Sequence, residues 1–573
     1  MKGGLTYNEL RKRPMLVLAF VVTAALAALL TMATALSITD FLQLIFPQAG
    51  STEVLNMSNG TPVEKLLAKV YVFLANQGAS GALLLYAVLL LVVYGLKNVC
   101  SYLAAVSYAG IKTGVLRELR NKLNRAALNQ PFSEWSSQAQ GQWLSRMSND
   151  MAEYEANVLD SLQSLVSAVI TMLIYIIMLL YLDWRLTLLV IVVIGIGTLL
   201  LSASRKLKRQ SSLLQSLNGE LMSTTQETID SLKEIKAATA IDYVNERQRE
   251  QNCRFTQRRI SIYRRIYAAS PLSDFVGNTI VVAILIIGAH RVLGPAASLS
   301  PALFVPYIMI YVLLLTPIKD FSNAITQIKK GRGIEERLSE VMSGETDDES
   351  VNQNSDVISK GEIELRDVGF AYGRVLVFEH LNIVVHPYLH TAIVGASGTG
   401  KTTLGRLMVG LIEEQSGEVL VDGQPMKASE RRGCLAYIPQ EPMLFNDTIE
   451  NNIRFGRQWV TDADIAQAVQ IAQVGPILDS MPDGLKTVIG DGGSRLSGGE
   501  RQRISIARAL AGNPSIIIMD EATAALDAAT EQHFSDQLRE TMSGRTLVVI
   551  AHRASTIARC DKVYSIEKGV YVR

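Results

Sequence analysis

The feature that most constrains this chain is a set of long apolar segments confined to its first half. About 20 apolar residues in a helix span the roughly 30 Å hydrocarbon core of a bilayer. Six segments reach or approach that length: 14–37, 80–105, 157–181, 185–204, 270–292 and 303–325. One such segment could be a buried helix of a soluble domain. Six in one half, with none as long in the other, predict a helical membrane bundle over residues 1–330 joined to a domain of different character. The first segment follows Arg11, Lys12 and Arg13. It is longer than a signal-peptide core and ends in no clear small-residue cleavage site, so it reads as a retained helix.

Charge at the segment ends sets the expected orientation. Lys2, Arg11, Lys12 and Arg13 precede the first segment. Lys112, Arg117, Arg120, Lys122 and Arg125 open the connection after the second. Arg205, Lys206, Lys208 and Arg209 begin the connection after the fourth, and Arg258, Arg259, Arg264 and Arg265 end it. The connections on the other side, such as "YLDWR" around Asp183, are poor in lysine and arginine. Both termini are therefore expected in the cytoplasm. The two basic connections read as helices that extend the spans into the cytosol. "PFSEWSSQAQ" (Pro131–Gln140) and "AATAIDYVNE" (Ala237–Glu246) are the candidate stretches for gripping a cytosolic domain. Within the spans, Lys97, Asn98, Lys319 and Asp320 sit near the cytoplasmic leaflet by helical rise. They face a water-filled vestibule, snorkel to the interface, or pair internally, as Lys97 with Asp320.

Of the 573 residues 48% are hydrophobic, the mean hydropathy is +0.20, and the net charge is +1. That balance supplies no global field for nucleic acid, so none is expected as a partner. Cys100, Cys253, Cys434 and Cys560 are too scattered for a metal cluster or a disulfide framework.

Residues 331–360 begin as an amphipathic helix and decay into an acidic stretch without periodicity, the pattern of a linker. From residue 361 to 573 strands appear. "GASGTGKT", Gly395–Thr402, follows the strand "HTAIV" and precedes the helical "TTLGRLMVGLI". It fits the phosphate-binding pattern G-x-x-x-x-G-K-[ST]. Gly395, Gly398 and Gly400 let successive backbone N–H groups turn onto phosphates at a helix N-terminus. Ser397 lies in that loop and Thr403 follows it. Lys401 is expected to reach the β- and γ-phosphates of ATP, and the Thr402 hydroxyl to ligate Mg²⁺. "SIIIMDEAT" is a buried strand ending in Asp520, suited to Mg²⁺, and Glu521, placed to orient or deprotonate water. "VVIAHRAS" ends in His552, which at a strand's carboxyl end points into the ligand crevice and can bond the γ-phosphate.

Together these residues resemble the ATP-binding cassette exporters over nearly the whole chain. "LSGGERQRISIARAL" is similar to the family signature. "YIPQEPMLFNDTIENNI" resembles the stretch in which Gln440 joins metal and water to the membrane domain. "AALD" looks like the loop that crosses the dimer seam and carries Asp527, and Tyr372 in "GFAYG" stands in the place of the residue that stacks on adenine. In the first half, "YLDWRLTLL", "LSRMSNDM" and "TQETIDSLKEIKAA" look like family stretches. The resemblance implies the type IV exporter fold, a six-helix membrane bundle fused to an α/β nucleotide-binding domain. It also implies a half-transporter in which Ser497, Gly498 and Gly499 close over ATP held by another subunit. A homodimer is the economical expectation, and a heterodimer fits as well.

Two departures stand out. Asp491 occupies a position usually held by glutamate, and the chain ends at "EKGVYVR" where members continue with a further helix or two, so it is expected to be naturally short or trimmed. The resemblance is to bacterial inner-membrane half-transporters that flip lipid A precursors or expel hydrophobic drugs. ATP-driven export of a lipid-like amphipath, among membrane lipids, is the leading expectation, and Lys97 could meet an anionic head group. Peptide export is a runner-up, lowered by the lack of an N-terminal protease domain. An ATP-gated channel is another, disfavoured by Glu521.

Overall fold

The computed structural model describes residues 5–45, 78–132, 137–188, 222–267, 269–293, 301–343, 360–522, 544–567 and 570–572. The chain divides into two compact units, one of residues 1–121 and 146–339, the other of 122–145 and 340–573.

The first unit is helical. Its long helices run Pro14–Ile45, Gly78–Leu128, Asp160–Leu182, Ile241–Tyr267, Ala269–Leu293 and Pro301–Met342. The second has 51 residues, or about 76 Å at 1.5 Å per residue, far more than a bilayer core needs. The apolar half of that helix lies towards its start, and charged residues fill the rest. Among the described residues four helices are long and apolar enough to span a membrane: Pro14–Ser37, Leu84–Leu128, Gly141–Leu182 and Phe304–Met342. The expected span over 270–292 is a helix whose apolar part covers Asn278–Arg291. Most of the expected span over 185–204 lies outside the described residues.

The turn before that span is built on Asp183. One carboxylate oxygen accepts the amides of Arg185 and Leu186 at 2.9 and 3.0 Å, which starts the next helix, and the other pairs with Arg291 at 2.9 Å. Tyr175, Leu179, Ile284, Tyr307, Tyr311 and Leu314 pack together beneath it. At the opposite end Lys112 pairs with Glu155 and Asp160 at 2.9 and 3.1 Å. Lys97 does not pair with Asp320. Its ammonium lies 5.9 Å from the ring centroid of Tyr94, one helical turn back on the same helix.

The second unit carries two sheets. β1 (Ile363–Tyr372), β2 (Val375–Val385), β4 (Ser416–Val421) and β5 (Gln424–Pro425) form an antiparallel sheet in the order β2-β1-β4-β5. The other sheet uses β3 (His390–Val394), β6 (Ala436–Ile438), β7 (Ile516–Asp520), β8 (Thr546–Ile550), β9 (Lys562–Glu567) and β10 (Val570–Val572). Its order among the described residues is β10-β9-β3-β8-β7-β6, parallel from β9 to β6.

The continuous apolar runs of β7 and β8 follow from burial of both faces. Ile516, Ile518, Val548 and Ile550 point towards Leu404, Leu407 and Met408 of the helix Lys401–Val409. Their alternates Ile517, Met519, Leu547 and Val549 point towards Ile504, Ile506, Ala507 and Leu510 of the helix Gly498–Leu510. Each such side chain contributes about 1.5–3 kcal/mol by leaving water, so both helices are pinned to one sheet from opposite sides.

An ion pair with a buried cation ties the helix Ala428–Cys434 to the segment before β4. Arg431 is fully buried, and its guanidinium donates to both carboxylate oxygens of Glu414, at 3.2 and 2.7 Å, and to the Met426 carbonyl at 2.7 Å. Removing Glu414 strands a buried cation, at a cost of about 3 kcal/mol. We expect Glu414→Ala in the full chain to lower the thermal unfolding midpoint of the second unit by several degrees, and an unchanged midpoint would show that the pair is not stabilising.

Candidate functional site

The carboxyl ends of β3, β7 and β8 lie side by side, because parallel neighbours end at the same edge of a sheet. β3 runs into the loop Gly395–Gly400, and Lys401 begins the following helix. Gly398 and Gly400 adopt left-handed backbone, with φ of +81° and +98°. A Cβ on Gly400 would stand 2.8 Å from both Phe378 Cζ and Val377 Cγ1, whereas one on Gly398 would meet open space. The loop therefore curls tightly only because Gly400 has no side chain. Ser397 and Gly398 are exposed at the rim, and Thr403 is buried beneath it.

Lys401 is only 6% exposed, and its ammonium donates to the carbonyls of Gly395 and Ala396 at 2.9 and 2.8 Å. Those bonds hold a cation in the hollow of its own loop, where an anion would be attracted. The Thr402 hydroxyl donates to Asp520 Oδ1 at 3.1 Å, and the Tyr437 hydroxyl donates to Oδ2 at 2.9 Å. Burial, reinforced by the charge of Asp520, pushes the Tyr437 phenol well above its ordinary pKa, so it remains a donor at neutral pH.

Glu521 follows β7 with a left-handed backbone, φ +49°, uncommon for a residue with a side chain. Its amide donates to the Ile550 carbonyl at 3.1 Å, which ties this turn to the end of β8. Its carboxylate is held from two sides. Gln440 Nε2 donates to Oε2 at 2.9 Å, and His552 Nε2 lies 2.8 Å from Oε1. A carboxylate only accepts, so that histidine nitrogen carries the proton. Gln440 arrives from the loop after β6 and His552 from the loop after β8, the two strands that flank β7.

Ser497 caps the helix Gly498–Leu510. Its hydroxyl oxygen accepts from the Glu500 amide at 3.3 Å, and its own amide donates to Glu500 Oε2 at 2.8 Å. Ser497 and Gly498 are exposed, and Gly499 is partly so. This leaves a helix N-terminus open to solvent, with a hydroxyl beside it. Asp491 accepts from the Asn446 side chain at 2.7 Å. The Tyr372 ring closes β1 and packs edge-on against Phe370, with centroids 4.9 Å apart at 88°, and its hydroxyl is buried without a hydrogen bond. Asp527 lies outside the described residues. Tyr437 is singled out by no motif in the sequence. It stands three residues before Gln440, but only the pairing of β6 with β7 brings it to Asp520.

A curled glycine loop around a buried lysine, two acids at a neighbouring strand end and fused apolar helices define a nucleotide-driven membrane protein. Residues 378–524 match the family described as ABC transporter, and residues 17–318 match the ABC transporter transmembrane region. The chain belongs to the ABC transporter family, and its ATP-binding domain makes it an ATPase coupled to transport. It is 31% identical over 491 residues to an ATP-dependent lipid A-core flippase of Syntrophus aciditrophicus (strain SB), covering 84% of this chain and 81% of the relative. A protein of the same name from Burkholderia orbicola (strain AU 1054) is 33% identical, with 68% and 66% covered. A bacterial Atm1-family ABC exporter solved with ATP bound shares the fold, with a TM-score of 0.76 at 21% identity over 97% of this chain and 94% of that one.

Left-handed backbone costs a residue with a Cβ about 1–2 kcal/mol, and at Gly400 the clash with Phe378 adds to it. Gly400→Ala should weaken binding of a fluorescent ATP analogue to the solubilised full chain by at least about tenfold, with a smaller loss for Gly398→Ala. Equal losses at the two positions would show that close packing against Phe378 is not what demands glycine.

Proposed function

We propose that this chain is half of an exporter that uses ATP to flip or expel a lipid-like amphipath across the bacterial inner membrane. It works as a homodimer, with both termini cytoplasmic. The membrane domain covers 1–330, the linker 331–360 and the nucleotide-binding domain 361–573. The observation that carries this reading is Glu521 held between Gln440 and His552 in a chain with spanning helices. A gate needs only nucleotide binding, whereas an oriented general base serves repeated turnover. The names of relatives about 30% identical over most of the chain favour a lipid cargo, and the basic segment ends favour the orientation.

In this reading Gly395, Ser397, Gly398, Gly400, Lys401, Thr402 and Thr403 cradle the phosphates, and Tyr372 stacks on adenine. The Thr402 hydroxyl, the Asp520 carboxylate and the Gln440 amide oxygen are hard oxygen donors that suit Mg²⁺. The Gln440 amide nitrogen is the atom bonded to Glu521, so its oxygen remains for the ion. When bound, Mg²⁺ neutralises charge that develops on the phosphates. Glu521 accepts a proton from the attacking water, and the His552 Nε2–H, which rests on Glu521, turns from it to donate towards the γ-phosphate when ATP is bound. Ser497, Gly498 and Gly499 present their helix N-terminus, and Asp527 its loop, to the ATP of the second copy.

Two experiments test this. Glu521→Gln should cut steady ATP hydrolysis by at least about 100-fold and stop flipping of a labelled lipid A-type lipid in proteoliposomes, while ATP still closes the dimer. Lipid movement that persists without turnover would support a passive, gated pathway instead. In a mixed dimer with Lys401→Ala in one copy and Ser497→Arg in the other, both defects fall in one shared site. One nucleotide should be retained per dimer, and none retained would overturn the shared-site arrangement.

A further inference from the structure

Asp520 is only 2% exposed, and a buried carboxylate keeps its charge at low cost only where hydrogen-bond donors replace water. Two hydroxyls do so. Thr402 donates to Oδ1 at 3.1 Å from the helix Lys401–Val409, and Tyr437 donates to Oδ2 at 2.9 Å from β6. Tyr437 pairs with Ile518 in the ladder between β6 and β7, and Ile518 and Asp520 share a face of β7. The phenol therefore stands on the side of the sheet covered by the helix Lys401–Val409. Its ring lies against Gly405, three residues beyond Thr402 on that helix, 3.8 Å from where a Cβ would stand. Thr402 and Tyr437 thus grip one carboxylate from a helix and from a neighbouring strand.

The two oxygens of that carboxylate are not equivalent. A hydroxyl that donates its only proton to Asp520 keeps its own lone pairs turned away from the acid, so the Thr402 oxygen stays able to ligate a cation beside Oδ1. Oδ2 is committed to the phenol. Asp520 therefore offers one oxygen, not two, on the side of the phosphate loop. Contact through a single oxygen suits Mg²⁺, which demands near-ideal octahedral geometry. Ca²⁺ is larger, tolerates irregular geometry and takes carboxylates through both oxygens.

We propose that Tyr437 is a positioning residue that sets which divalent cation the ATP site accepts. By holding Oδ2 it fixes the plane of the Asp520 carboxylate and withholds the second oxygen, which favours Mg²⁺ over Ca²⁺. The inference rests on the ATP-site roles proposed above for Thr402 and Asp520.

The test is binding of a fluorescent ATP analogue to the solubilised full chain, measured with Mg²⁺ and separately with Ca²⁺. The original chain should bind more tightly with Mg²⁺, and no preference there would overturn the proposal without any variant. Tyr437→Phe keeps the ring and its packing and removes only the hydroxyl. It should weaken Mg²⁺-supported binding about tenfold, the order by which a metal site suffers when an outer partner of its ligand is lost. Ca²⁺-supported binding should fall less than about threefold, because the freed oxygen serves that cation, so the preference shrinks by at least about threefold. A defect of packing alone would lower both affinities by the same factor. Equal losses with the two cations, or no loss with Mg²⁺, would overturn the proposal. Lys401→Ala is the control, since unimpaired binding of the analogue there would refute the ATP-site reading itself rather than the role of Tyr437.

Discussion

The grip on Glu521 depends on three strands keeping their order. Gln440 reaches it from the end of β6, His552 from the end of β8, and Glu521 itself leaves β7 between them. Ile438 pairs with Met519 and Asp520 with Ile550, so a slip of one residue in either ladder would carry a partner out of reach and turn its side chain to the other face. What resists the slip is burial on both faces of β7 and β8. The same apolar contacts that hold the register also press the phosphate-loop helix against one face and the Ser497-capped helix against the other. Stability and chemistry therefore share one set of contacts.

In the helical unit the charged and polar ends are satisfied internally. Lys112 lies between Glu155 and Asp160, Arg337 pairs with Asp150, and Thr6 bonds Tyr154 and Glu335. Each contact joins helices far apart in sequence, and none crosses the apolar middle of a span. This is the distribution expected where ion pairs stand near water and the bilayer interior is left to hydrocarbon. The Asp183 turn repeats the pattern at the opposite end, where one carboxylate starts a helix and holds Arg291.

Much of the fold was legible because its signals are local. The helix from residue 78 and the one from 301 were visible as apolar runs, and the phosphate loop as glycine spacing between a strand and a helix. Asp520 and Glu521 were visible as acids closing a buried strand. The partner of Lys97 was misread. The suggested match with Asp320 joined two charges at similar depth, but depth along a helix does not specify which face a side chain occupies, and Lys97 settles over Tyr94 instead. Tyr437 carried no local signal. Its significance arises from the pairing of β6 with β7, which does not follow from a run of letters.

The amino-acid sequence by itself determined which half of the chain is apolar enough for a membrane, where the glycine loop lies, and which side chains could handle phosphate and a hard cation. Those properties follow from side-chain chemistry and spacing along one strand or helix. Only the tertiary structure decided that Glu521 is held from both sides and that Tyr437 steadies Asp520. These are relations between segments up to 83 residues apart. Their geometry is set by the order of the strands and the register of neighbouring pairs.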